Sequence, residues 1–174
     1  MRGWLLDTNV ISELRKARAD SGVVAFMDAQ PGSLLYVSEI AFGEIRYGIE
    51  QIAEPSRRVD LQFWLDHSMR PLFAGRVTSI TEDVILRWKM MVVDGQKRGH
   101  TFGQPDLFIA AIAALEDLVV VSRDTTHFLA AGVPVFDPWA SVLHARGKTF
   151  AIESPATAEA VTTALGSRRR LDTT

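Results

Sequence analysis

Short runs of consecutive apolar residues alternate along this chain with longer stretches in which apolar residues recur every three or four positions. The short runs are Trp4–Leu6, Leu34–Val37, Val119–Val121 and Val133–Phe136, and Val77–Ile80, apolar at its two ends, is read as a further strand. A short run that is apolar on both faces predicts a strand buried between two layers. The longer stretches predict helices over Val10–Lys16, Ser21–Ala29, Ser38 to about Ile52, Arg57–His67, Thr81 to about Lys97, Asp106–Leu115 and Asp124–Ala130. Boundary residues agree. Thr8 or Asn9, Ser38, Thr81 and Asp124 can cap helix starts, and Glu82 and Asp83 suit the positive end of a helix dipole. Pro31-Gly32, Pro55 and Gly132 stop helices, Gly99–Gly103 reads as a loop, and Pro105 fits a first turn. Strands alternating with helices predict a three-layer α/β/α fold around a short-stranded parallel sheet. In such folds ligands sit beyond the carboxyl ends of the strands.

The fold pattern occupies residues 1–140. Residues 141–174 read as an accessory C-terminal tail. Ser154-Pro155 opens a short helix there that ends near Leu165-Gly166, and Arg168-Arg169-Arg170 lies in a mobile basic end. Residues 145–174 carry a charge of +2, leaving −4 for residues 1–144. The opening apolar run meets Asp7 too soon for a signal peptide, and Leu107–Val121 is interrupted by Glu116 and Asp117. A cytoplasmic protein without a membrane segment is expected.

Composition narrows the chemistry. The 174 residues are 47% hydrophobic and 23% charged, the balance of a folded domain with its own core. Cysteine is absent, which excludes a disulfide scaffold, a thiol nucleophile and an iron–sulfur site. The net charge of −2 provides no global field that would draw in nucleic acid.

Four carboxylates then change the picture. Asp7 directly follows the first strand, and Asp124 comes three residues after the Val119–Val121 run. Glu44 lies in the helix after the second strand, on the flank of the stripe formed by Phe42, Ile45, Ile49 and Ile52, with small Ala41 and Gly48 beside it. Asp106 sits in the first turn of the helix before the fourth strand. Taken singly, Asp7 and Asp124 read as helix caps, Asp106 as a dipole partner and Glu44 as a solvated acid. Strand order nevertheless directs all four to one edge, where they repel one another unless a cation is present. Oxygen donors without Cys or His point to Mg2+ or Mn2+, and such a site suits phosphodiester hydrolysis. His67, His127 and His144 show no metal-ligand spacing.

The chain resembles the PIN-domain ribonucleases, and within them the VapC-type toxins of bacterial toxin–antitoxin pairs, including the FitB-like branch. The matching stretches are Leu5–Leu14, Gly43–Ile49, Pro105–Ala113 and Val121–Asp124, followed by Phe128 and Asp137-Pro138-Trp139. The resemblance implies a PIN-like nuclease domain over residues 1–140. It implies that Asp7, Glu44 and Asp106 are core acids of a metal site, with Asp7 and Asp106 as metal ligands. Asp124 falls on a more variable fourth position. Thr8 matches a hydroxyl residue beside the first acid, and Asn9 a polar residue that ties the site together. Ala41 departs from the family's frequent Ser or Thr. The resemblance also implies a homodimer or a larger assembly, inhibition by a cognate antitoxin, and RNA cut to 3′-hydroxyl and 5′-phosphate ends.

Substrate contacts are expected from Arg15, Lys97, Arg98 and His100, with Lys16 and Arg18 nearby. Two rival functions remain. One is a binding module of this fold that acts mainly in an antitoxin–DNA complex. The other is a phosphoryl-transfer enzyme, weakened because Asp7-Thr8-Asn9 lacks the second aspartate of the haloacid motif.

Overall fold

Residues 1–166 are described by a computed structural model; the Arg168–Arg170 end lies outside the described residues. The first strand shows why the sheet must be covered twice. Along β1 (Gly3–Leu6), Trp4 and Leu6 enter one apolar cluster, while Leu5 enters another on the opposite face. Alternate side chains of a strand point to opposite faces, so an uninterrupted apolar strand needs helices on both.

The first face is covered by α1 (Thr8–Leu14), α2 (Ser21–Ala29) and α3 (Glu39–Glu50), which contribute Val10, Ile11, Val23, Phe26, Phe42 and Ile45. The second face is covered by α6 (Glu82–Lys97), α7 (Gln104–Leu115) and α8 (Thr125–Ala130), through Val84, Met91, Leu107, Ile109 and Phe128. The remaining strands are β2 (Leu35–Ser38), β3 (Val77–Thr78), β4 (Leu118–Val121), β5 (Val135–Asp137), β6 (Val142–Ala145) and β7 (Lys148–Ala151). They join β1 in a sheet of order β3-β2-β1-β4-β5-β6-β7, parallel through β5 and antiparallel beyond it.

Register positions the site. Leu6 pairs with Val37 on one side and with Val121 on the other. The three central strands therefore end level, and Asp7, Ser38 and Ser122 are placed together at the carboxyl edge.

Several local expectations change. The α1 cap is Asp7, whose carboxylate accepts from the Thr8 amide, because the Thr8 and Asn9 side chains are committed elsewhere. Pro55 begins α4 (Pro55–Trp64), with the Glu54 carboxylate accepting from the Ser56 and Arg57 amides. The helix expected to end at His67 continues through a π turn, Leu65–Met69, into α5 (Arg70–Leu72). Pro71 lacks an N–H and its ring crowds the preceding turn, which the wider π turn relieves. The strand expected over Val77–Ile80 is confined to Val77–Thr78.

The largest addition lies after residue 140. The short helix expected from Ser154-Pro155 starts later, as α9 (Ala158–Gly166), and β6 and β7 extend the sheet as a hairpin. Leu143, Ile152, Ala156 and Val161 join the cluster that holds Trp4 and Phe26. The buried Gln30 side chain fastens this segment: its oxygen accepts from Trp4 Nε1 at 2.9 Å, and its amide donates to Ala156 O at 2.7 Å.

Candidate active site

The carboxyl edge builds the site from neighbouring positions of different strands and helices. Asp7 leaves β1 and is 5% exposed. Its Oδ1 accepts from the Thr8 amide at 2.7 Å. Its Oδ2 accepts from Ser122 Oγ at 2.6 Å and from Asn9 Nδ2 at 2.9 Å. Ser122, at the end of β4, is fully buried and central to this network. Its hydroxyl also accepts from Asn9 Nδ2 at 2.9 Å and from the Asp124 amide at 3.0 Å. One hydroxyl thus links β1, α1 and the turn before α8.

Glu44 is half-buried on α3, where Ser38 Oγ caps the helix by accepting from the Ala41 amide at 3.1 Å. Thr8 Oγ1 donates to Glu44 Oε2 at 2.6 Å. Ala41 itself is buried and offers no side-chain hydrogen bond, so the hydroxyl on Glu44 comes from α1. Asp106 is half-buried in the first turn of α7. Asp124 occupies the position before α8, but its side chain makes no capping bond, contrary to the expected role. One ligand atom each from Asp106, Asp124 and His127 lies within 4.8 Å of the others.

The electrostatics are those of crowded acids. Burial pushes the Asp7 carboxyl up to about 6, against the lowering effect of Ser122 and of the Thr8 amide, with further upward pressure from Asp106 and Glu44. Asp106 is also held above its ordinary range, chiefly by burial; His127 lowers it, while Asp124 and Glu44 raise it. The four sequence-predicted acids are therefore within electrostatic reach of one another. A cation among them would offset both burial and mutual repulsion. The oxygen-rich donor set, with His127 Nε2 3.9 Å from Asp124 Oδ2, fits a divalent metal ion.

The predicted basic residues separate. Arg15 lines a cleft of about 280 Å³ together with Thr8, Ser12, Glu44, Gly48 and Trp64. Lys97 instead faces Asp94 at 3.7 Å. Arg98 donates to the carbonyls of Asp94 and Ala130 at 3.1 and 3.2 Å, tying the end of α6 to that of α8. Lys16 pairs with Glu13 at 2.5 Å. His100 packs edge-on to Phe102 and borders a second cleft of about 270 Å³ with Trp88, Gln96 and Gln104.

Ser122 and His127 were missed as site residues. A serine ending a fully apolar strand is the signal for Ser122 at this edge. His127 follows Asp124 by three residues, one helical turn, a spacing that puts both on one side of α8. Although His127 shows no metal-ligand spacing in the sequence, one of its ring nitrogens lies within 4.8 Å of a carboxylate oxygen of both Asp106 and Asp124.

Comparison with known proteins agrees with this architecture. Residues 4–133 match the family described as PIN domain. The chain is 38% identical over 135 residues to VapC ribonuclease Y4jK of Sinorhizobium fredii, covering 78% of this chain and 96% of that one. It is 36% identical over 135 residues to Toxin FitB of Neisseria gonorrhoeae, covering 78% and 97%. Among solved structures, FitAcB from Neisseria gonorrhoeae superposes with a TM-score of 0.75 at 36% identity, over 78% of this chain and 98% of that chain. FitAB bound to the IR36 DNA fragment superposes with a TM-score of 0.74 at 34% identity, over 78% and 95%.

Proposed function

The chain belongs to the PIN-domain family, and from that premise we propose that it is a metal-dependent endoribonuclease, the toxin of a toxin–antitoxin pair. The observation that carries the reading is Asp7. A buried carboxyl, raised by burial and by two neighbouring acids yet held by three donors, is built for a positive charge that completes the set. Asp7 and Asp106 would hold the ion, Mg2+ or Mn2+, with Glu44 and Asp124 beside them. Such an ion acidifies a bound water and polarises a phosphodiester oxygen.

The chain's own residues do the rest. Thr8 orients Glu44, while Ser122 and Asn9 orient Asp7, so the carboxylates need little rearrangement to act. Arg15, in the cleft beside Glu44, is placed to meet a phosphate of the RNA strand. Lys97, Arg98 and His100 remain substrate contacts only at the margin, reached by RNA extending past α6. A protein partner suits the exposed Tyr47, Val59 and Phe63 on α3 and α4, which leave apolar surface uncovered. A cognate antitoxin is proposed as that partner, the similar FitAB structure being a complex. A homodimer in the cytoplasm is the expected state; among the described residues no helix is long and apolar enough to cross a membrane.

The test is digestion of a mixed RNA substrate with Mg2+ or Mn2+, with EDTA, and with Asp106→Asn. Cutting that needs the ion and falls at least 100-fold in a folded Asp106→Asn protein supports the proposal. Wild-type cutting by Asp106→Asn, or in excess EDTA, refutes it. No cutting by wild-type protein that still binds its antitoxin tightly favours the rival reading of a binding module, for which the DNA-bound relative complex is the supporting observation.

A further inference from the structure

Beside the carboxylates stands an imidazole that the oxygen-only reading does not use. His127 is half-buried on the first turn of α8. Its Nε2 lies 3.9 Å from Asp124 Oδ2, too far for a hydrogen bond. Two donors of one ion, each about 2.1 Å from it, lie roughly 3 to 4.2 Å apart. The separation is therefore that of donors facing a shared cation rather than each other. Its Nδ1 is buried and has no hydrogen-bond partner among the described residues. A buried ring nitrogen is ordinarily paired, because leaving it unpaired costs about 1–3 kcal/mol. Neither nitrogen is thus committed to the protein, although the ring is held where the two acids converge.

The surroundings favour coordination over an ion pair. Asp124 has an unused capping opportunity, and its carboxylate is turned to the His127 side instead. Asp106, on the neighbouring helix, completes the trio within 4.8 Å. His100 approaches from the loop before α7, its ring centre 6.3 Å from that of His127, and walls this side.

We propose that a ring nitrogen of His127, together with Asp124, joins Asp106 in holding the cation, so that this site takes a first-row transition cation such as Mn2+ in preference to Mg2+. The proposal rests on the metal-dependent reading above and adds a nitrogen donor to it. Mg2+ keeps to oxygen ligands and dehydrates reluctantly, whereas imidazole suits the first-row transition ions.

The experiment is metal binding by the full chain, without RNA. Isothermal titration with MnCl2 and with MgCl2 is run on wild-type protein and on His127→Ala. Pulsed EPR of the Mn2+-loaded wild type then looks for 14N coupling from a directly bound imidazole. The expected result is at least tenfold tighter binding of Mn2+ than of Mg2+ and a resolved 14N coupling. His127→Ala should weaken Mn2+ at least tenfold while changing Mg2+ less than about threefold. The EPR measurement stands even if His127→Ala fails to fold. Mn2+ bound without 14N coupling, or held equally by His127→Ala, overturns the nitrogen donor and leaves the oxygen site intact. No binding of either ion by wild type overturns the metal reading itself, and the nitrogen donor with it.

Discussion

Replacing Asp7 by Asn should stabilise this protein at neutral pH, although it removes a residue of the proposed site. The Asp7 carboxyl is raised from the 3.8 of an ordinary aspartate to about 6, first by burial and then by Asp106 and Glu44. Between those two values the folded state holds a proton that the unfolded chain releases. Stability from this group is fully present below about pH 3.8 and is lost as pH rises through about 6. The ionised form costs the folded state about 3 kcal/mol. At pH 4 wild type and Asp7→Asn should differ less than at pH 8, since a protonated carboxyl and a carboxamide are both uncharged, although the carboxamide has two N–H donors where the carboxyl has one O–H. At pH 8 the variant should be more stable by about 2–3 kcal/mol, less any hydrogen bond lost to Asn9 or Ser122. For a chain of this length that is about 5–10 °C in Tm. Thermal melts of both proteins in EDTA from pH 4 to 8 would measure it; EDTA is needed because a bound cation would itself hold Asp7 ionised. A difference between the two proteins that stays constant within about 0.5 kcal/mol over that range would refute the account of Asp7.

Three further outcomes are expected. Ser122→Ala removes one hydroxyl that serves Asp7, Asn9 and the Asp124 amide, so urea unfolding should show a loss of about 1–3 kcal/mol. The Asp7 titration, followed by carboxyl NMR, should move above its wild-type value because the Ser122 bond holds it down. Gln30→Leu cuts the ties to Trp4 and Ala156; stability should fall by about 1–3 kcal/mol, and limited proteolysis should cut within residues 141–166 faster than in wild type. Gly95→Ala places a Cβ 2.3 Å from Phe102 Cε2, so this helix-favouring change should destabilise. A higher Tm for Gly95→Ala would show instead that Phe102 yields freely and helix propensity prevails.

Much of the fold is legible along the chain because its signals are local. Buried strands read as unbroken apolar runs, and Ser38 and Thr81 cap the helices that follow them, as their types suggest. The β6–β7 hairpin was not legible. Its two-residue turn, Arg146-Gly147, has positive φ at both positions, 52° and 69°. That turn ordinarily announces itself by Asn-Gly or Asp-Gly, and an arginine there gives no such signal. The strand beyond it, Lys148–Ala151, is mostly exposed and lacks an apolar pattern. The continuation of α4 past His67 was hidden because Pro71 ordinarily ends a helix, whereas here a π turn accommodates it and Leu65 and Phe73 lie in the core.

By itself the sequence determined the alternation of strands and helices and the identity of the four acids. Those acids were recognisable because each occupies a position defined by its own strand end or helix. Tertiary structure alone decided what surrounds them. Parallel register levels Leu6 with Val121, which brings Ser122 to Asp7 across 115 residues. Packing of α1 against α3 turns Thr8 onto Glu44 instead of into a cap. The placement of α8 beside α7 sets His127 with Asp106 and Asp124. A residue type carries its chemistry in any context, but a pKa, a hydrogen-bond partner or a ligand shell arises from groups distant in the chain. Their meeting depends on how two layers of helices pack on a twisted sheet.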